Sequence, residues 1–214
     1  MHLHRAGRHA RLTSLDLAAR ALLQERVTAT LRGDPRVVDV LLVGSLATGR
    51  SDEWSDIDLV AVLRDDVADR DFFFDLPALM DGVGPNVAGW GFVGFPGTYI
   101  GTFHFDDQPL FWGVDVMCSS PIHVDGADLL ATYRWEQIYK MWIQAAKYAA
   151  RADAKIDEVA ERTALHVEVA MPPSATVDRL AALLDAIRVR KEQQGDPYEA
   201  FHARCVELCA LLRA

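Results

Sequence analysis

Apolar positions along the chain keep helical spacing first, then strand spacing, then helical spacing again. Leu15, Ala18, Leu22 and Leu31 recur near a 3.6-residue period until Gly33-Asp34-Pro35 stops them, which predicts a helix over Leu15–Leu31. Val37–Val43 is a β-branched apolar run of the kind found inside sheets, and Ile57–Leu63 is a second. Between them, Ser45–Thr48 predicts a short helix and Gly49–Ser55 a polar turn. A helix weakened by Pro77 is expected over Asp71–Met80. Strands follow over Asn86–Gly94 and Thr98–Phe105, joined by a Phe95-Pro96-Gly97 turn, and over Pro109–Cys118 after the Asp106-Asp107-Gln108 turn. Strand signals then stop. Ala127–Arg151 carries an apolar stripe of Trp135, Ile138, Trp142 and Ala145. Helices are also expected over Ala154–Val169, Thr176–Lys191 and Pro197–Leu212, with a break at Met171–Ser174 where Ser174 can cap the next helix. The pattern predicts an α+β fold: a mixed-sheet domain over residues 1–120 and a helical domain over 121–214.

Composition narrows the function classes. Half of the 214 residues are hydrophobic, enough for a packed core, and no apolar run reaches the eighteen or so residues a membrane span needs. The basic, His-rich start MHLHRAGRHARL has no apolar h-region, so a frayed arm is expected there rather than a secretory signal. Cys118, Cys205 and Cys209 form no CxxC pair, which disfavours disulfides and structural zinc and makes a reducing cytoplasm the expected setting. His123 and His166 likewise lack zinc-ligand spacing. A formal charge of −9 opposes a nucleic-acid partner and favours a cationic small molecule.

The chemistry concentrates in VGSLATGRSDEWSDIDLV, residues 43–60. Residues i and i+2 of a strand share a face, so Asp56 and Asp58 project side by side. Two adjacent carboxylates repel, and a divalent cation resolves the conflict; hard oxygen donors suit Mg²⁺. Gly44 lets backbone approach a ligand, and Ser45 offers a hydroxyl and an N–H to an anion at a helix start. Asp115, a lone charge inside the apolar strand Trp112–Met117, is the candidate third acid of a two-metal site that clamps attacking and leaving oxygens. The combination describes a nucleoside triphosphate–Mg²⁺ site.

Leu41-Leu42-Val43-Gly44-Ser45, then Ser55-Asp56-Ile57-Asp58-Leu59, then Asp115, resembles the signature of the nucleotidyltransferase superfamily that includes DNA polymerase β. The Ser-Asp-x-Asp-Leu form and the helical C-terminal half resemble the small bacterial members that adenylylate antibiotics. The resemblance implies that a hydroxyl attacks the α-phosphate and pyrophosphate leaves. It also implies that Asp56 and Asp58 hold both metals and that Asp115 ligates the catalytic one and activates the acceptor hydroxyl. Many members carry arginine just before the glycine numbered 49 here; this chain has Thr48 there, so Arg50 becomes the candidate contact to the triphosphate. Transfer of AMP from ATP to an aminoglycoside- or lincosamide-like acceptor is the expected reaction. The alternatives are a protein-modifying, antitoxin-like transferase and a non-catalytic nucleotide-binding module; a homodimer that shares the acceptor site is left open. Glu136 is a candidate general base, set against an ordinary helix glutamate. His104 is expected to be solvated or hydrogen-bonded, and Trp135 and Trp142 to sit in a core.

Overall fold

The computed structural model describes residues 15–93, 98–126, 134–170, 176–192 and 199–213. The Phe95-Pro96-Gly97 turn, the beginning of the helix expected from Ala127, the Met171–Ser174 break with its Ser174 cap, and the N-terminal arm lie outside those residues. The chain divides into two compact units, residues 1–133 and 134–214.

In the first unit, α1 spans Leu17–Arg32, and the carboxylate of its N-cap Asp16 accepts from the Ala18 amide at 2.9 Å. Its buried stripe is Arg20, Leu23, Val27 and Leu31 rather than one through Leu22, which is 59% exposed. Leu23, Val27 and Leu31 are spaced by four, so they stack on one face, while Leu22 lies about 100° round the helix from Leu23.

Five strands form one mixed sheet in the order β1-β2-β5-β4-β3: β1 Val37–Leu42, β2 Ile57–Leu63, β3 Asn86–Val93, β4 Tyr99–Phe105 and β5 Val114–Ser119. β2 and β5 are parallel, and the other neighbours are antiparallel. The strand expected from Pro109 begins instead at Val114. Proline has no N–H to give a ladder, and the Trp112 amide turns back to the Pro109 carbonyl at 3.0 Å, so this segment is a turn.

Alternation on the two central strands separates two faces. Ile57, Leu59, Ala61 and Leu63 of β2 and Val114, Val116 and Cys118 of β5 are all buried. They pack with Leu23, Val27 and Leu31 of α1 and with Phe72, Phe73, Leu76 and Met80 of α3 (Asp69–Asp81) in one hydrophobic cluster. Pro77 sits inside α3; its missing N–H removes one helical bond, and burial of Phe72, Phe73, Leu76 and Met80 keeps the helix continuous. The even-numbered residues of β2 and odd-numbered residues of β5 face the other way; Asp58, Val60, Val62, Asp115 and Met117 are half-buried and Ser119 is exposed.

The segment after β5 stays with this unit. Ile122 bridges Ala68, and the Tyr99 hydroxyl donates to the Val124 carbonyl at 2.8 Å.

The second unit is helical: α4 Arg134–Ala150, α5 Lys155–Val167, α6 Thr176–Glu192 and α7 Glu199–Arg213. Ile138, Trp142, Leu180, Leu184, Phe201, Cys205 and Leu208 are buried in it. The Trp142 indole donates to the Leu180 carbonyl at 2.9 Å, so this tryptophan is a core residue with its one polar atom satisfied. Cys205 and Cys209 are buried free thiols. None of the described helices is long and apolar enough to cross a membrane.

Candidate active site

The polar segment between β1 and β2 is held from two sides. The buried guanidinium of Arg20 donates to the Asp52 carbonyl at 2.5 Å and the Ser55 carbonyl at 3.1 Å. The Trp112 indole donates to the Glu53 carbonyl at 2.8 Å, and Trp54 meets Phe111 edge-on with ring centroids 4.8 Å apart. Inside the turn, the Ser55 hydroxyl donates to the Asp52 carboxylate at 2.8 Å, and the Trp54 amide does so at 3.1 Å. Burial pulls the Arg20 pKa below its ordinary value, opposed by the negative charges of Asp52 and Asp56. The turn therefore ends in a fixed position at Asp56, one residue before β2.

Asp58 and Asp115 stand directly opposite each other in the parallel ladder of β2 and β5. Each of Asp56, Asp58 and Asp115 offers one carboxylate oxygen, and the three oxygens lie within 4.8 Å of one another. On β4, Thr102 is opposite Asp115 in the antiparallel register and donates its hydroxyl to Asp115 Oδ1 at 2.6 Å. That bond fixes the carboxylate's rotation. All three acids are half-buried, where their mutual repulsion is weakly screened. A donor set of three converging carboxylates fits a hard divalent cation.

Gly44 explains how Asp58 fits. It opens α2 (Gly44–Ala47), has φ +68°, and a β-carbon built there would stand 2.9 Å from Asp58 Cγ and closer still to Oδ2. Any side chain at residue 44 would displace that carboxylate. The backbone is tied to the acid as well, since the Val43 amide donates to the Asp58 carbonyl at 2.9 Å. Ser45 follows within the same short helix. Thr48 closes it by donating its hydroxyl to the Gly44 carbonyl at 3.0 Å, and Arg50, which is exposed, donates Nε to Thr48 Oγ1 at 3.2 Å.

Two further residues singled out by the sequence are buried. Glu136 is a buried residue of α4 in the helical unit, not an exposed helix glutamate. His104 is 4% exposed and lies against Gly113, so it is a buried residue rather than a solvated one. Three contributors had no motif in the sequence: Arg20, Trp112 and Thr102. A lone arginine on an otherwise apolar helix stripe and a threonine alternating with strand aromatics were the available signals, and neither is specific.

Residues 25–84 match the family model described as a nucleotidyltransferase domain. The match spans Gly44, Ser45, Asp56 and Asp58 and ends before β5, so Asp115 is added by the strand register alone. No curated protein matches the chain. The matched segment folds as the edge of a mixed sheet that brings a third acid to the Asp-x-Asp pair, and residues 25–84 are similar to a nucleotidyltransferase domain.

Proposed function

We propose that the protein is a Mg²⁺-dependent transferase that moves a nucleoside monophosphate, AMP from ATP, to a hydroxyl of a small-molecule acceptor. The observation that carries this is the convergence of Asp56, Asp58 and Asp115 beside the Cβ-less Gly44. In the reaction the acceptor oxygen bonds to the α-phosphorus, the bond from that phosphorus to the β-phosphate bridging oxygen breaks, pyrophosphate leaves, and the hydroxyl proton is released. Divalent cations, when bound, neutralise the triphosphate and stabilise the attacking and leaving oxygens.

The chain's residues do the positioning. Asp56 and Asp58 would hold both cations. Gly44 and Ser45 offer backbone N–H groups and a hydroxyl to the leaving phosphates, and Arg50 is the candidate guanidinium for them. Asp115, rotationally fixed by Thr102, faces the acceptor oxygen. An acceptor of the aminoglycoside or lincosamide kind matches the −9 formal charge, because such a field attracts cations.

The test is pyrophosphate release from ATP and Mg²⁺ across a panel of hydroxyl compounds that includes kanamycin A and lincomycin, run beside calorimetry with Mg·ATP. Wild type is expected to release pyrophosphate with at least one acceptor, and Asp56→Asn with none. Tight Mg·ATP binding without release for any acceptor would make the domain a nucleotide-binding module instead.

A further inference from the structure

A cavity of about 370 Å³ opens at the C-terminal ends of β2 and β5, farther along both strands than the acids. Its floor includes Val60 and Met117, which are registered opposite each other. Each lies two positions beyond an acid on its own strand, Val60 after Asp58 and Met117 after Asp115. They therefore share the acids' face and start about 6.6 Å from them. Thr98, Cys118, Ser119, Ser120, Asp69 and His123 line the remainder. None of the lining residues comes from β1 or α2, where Gly44 and Ser45 stand.

His123 is held in one orientation. Its Nδ1 lies 2.5 Å from Asp69 Oδ2, and the ring centroid is 6.0 Å from that of Tyr99. Asp69 is 3% exposed, and its Oδ1 also accepts the amides of Arg70 at 2.7 Å and Val124 at 3.1 Å. An ionised carboxylate only accepts, so Nδ1 donates and Nε2 is the ring nitrogen left for another molecule. Carboxylate–histidine pairs of this kind fix tautomer and direction. Nothing in the nucleotide chemistry above uses this pair.

We infer that this cavity is the acceptor site and that His123, aimed by Asp69, anchors the acceptor's far end. The inference rests on the proposed transfer reaction and adds where its second substrate lies. In-line displacement puts the attacking and leaving oxygens on opposite sides of the α-phosphorus. With pyrophosphate at Gly44 and Ser45, beside the N-terminal end of β2, the acceptor enters from the other side of the acids, toward the C-terminal ends of β2 and β5 where the cavity lies. His123 is not the base for the reacting hydroxyl. Ser119 stands four strand positions past Asp115, about 13 Å away, whereas proton abstraction needs about 3 Å. An apolar floor of Val60 and Met117 beneath hydroxyl and imidazole walls suits a ring with one C–H face and several hydroxyls, a saccharide-like acceptor.

The test uses the full chain labelled with ¹³C at methionine methyls. Met117 reports the cavity, and Met80, fully buried in the core, reports the fold. Kanamycin A or lincomycin is expected to shift the Met117 methyl and leave Met80 in place, while Mg·ATP leaves Met117 unmoved. His123→Ala is expected to weaken that titration at least tenfold, His123→Gln less, and Val60→Phe to abolish it. All three variants should bind Mg·ATP within twofold of wild type by calorimetry. The inference is overturned if neither compound moves Met117, if Mg·ATP moves it instead, or if His123→Ala with an unshifted Met80 binds as wild type does. Loss of Mg·ATP binding by the wild-type protein would remove the transfer reading itself, and calorimetry sees that separately from the methyl signal.

Discussion

The two faces of β2 and β5 are built from alternate residues of the same strands, yet they do different work. On one face Ile57, Leu59, Ala61, Val114 and Val116 are at most 1% exposed and hold the sheet to α1 and α3. On the other, Asp58, Asp115 and then Val60 and Met117 stay half-buried and form the acidic shelf and the cavity floor. A shift of one residue in register would exchange these sets, which would bury the acids and expose the core. Fold and chemistry are thus coupled through the pleat, and a substitution should affect one or the other according to parity.

The sharpest test of that division pairs neighbours. Asp58→Asn keeps shape and removes charge, so pyrophosphate release should fall at least about 1000-fold, roughly 4 kcal/mol of barrier, with the melting temperature unchanged or raised. Leu59→Ala, one residue along, should remove about 3 kcal/mol of stability in urea titrations while the folded fraction keeps its turnover. Equal loss of turnover in the folded fraction of both would break the comparison.

Next in size is a glycine pair. Gly44 and Gly49 share a φ near +67°, but an added β-carbon meets Asp58 at residue 44 and nothing within 4 Å at residue 49. Gly49→Ala carries backbone strain alone, about 1 kcal/mol. Gly44→Ala should add displacement of the Asp58 carboxylate, lowering turnover about 100-fold beyond whatever Gly49→Ala does. Steady-state kinetics of the two variants, side by side, decides it.

Thr102→Val is isosteric and leaves the ladder intact. It should lower kcat about tenfold, equivalent to about 1.4 kcal/mol, with little change in the KM for ATP, because it frees Asp115 to rotate. An unchanged kcat would mean that the hydroxyl only satisfies a buried group.

The smallest expected effect lies off both faces. Arg36 bonds Asp34 at 2.7 Å and Asp75 at 2.5 Å, and its hydrogen bond holds the Asp34 carboxyl below the usual carboxylate range. A depressed folded-state pKa stabilises the fold above the unfolded value near 4 and ceases to do so as pH falls through the lower folded value. Asp34→Asn should therefore cost about 1 kcal/mol at pH 7 in denaturant titrations, a difference that vanishes toward pH 2, with turnover per folded molecule unchanged.

The sequence by itself determined much of this molecule. Apolar runs bounded by turn residues announced β2 and β4, and the Gly-Ser and Asp-x-Asp spacing pointed to the candidate chemistry, because both depend on neighbours a few residues apart. It misplaced the start of β5, where Trp112 serves a turn and a distant carbonyl, and it put the α1 stripe through Leu22 when packing chose Leu23. Only the tertiary structure decided that Asp115 stands beside Asp58, that Thr102 orients it, that Arg20 anchors the turn before Asp56, and that Asp69 aims His123 across 54 residues of chain. Those pairings come from strand order and helix docking. A linear chain has no local signal for them, since the energy that selects them is burial summed over the whole sheet.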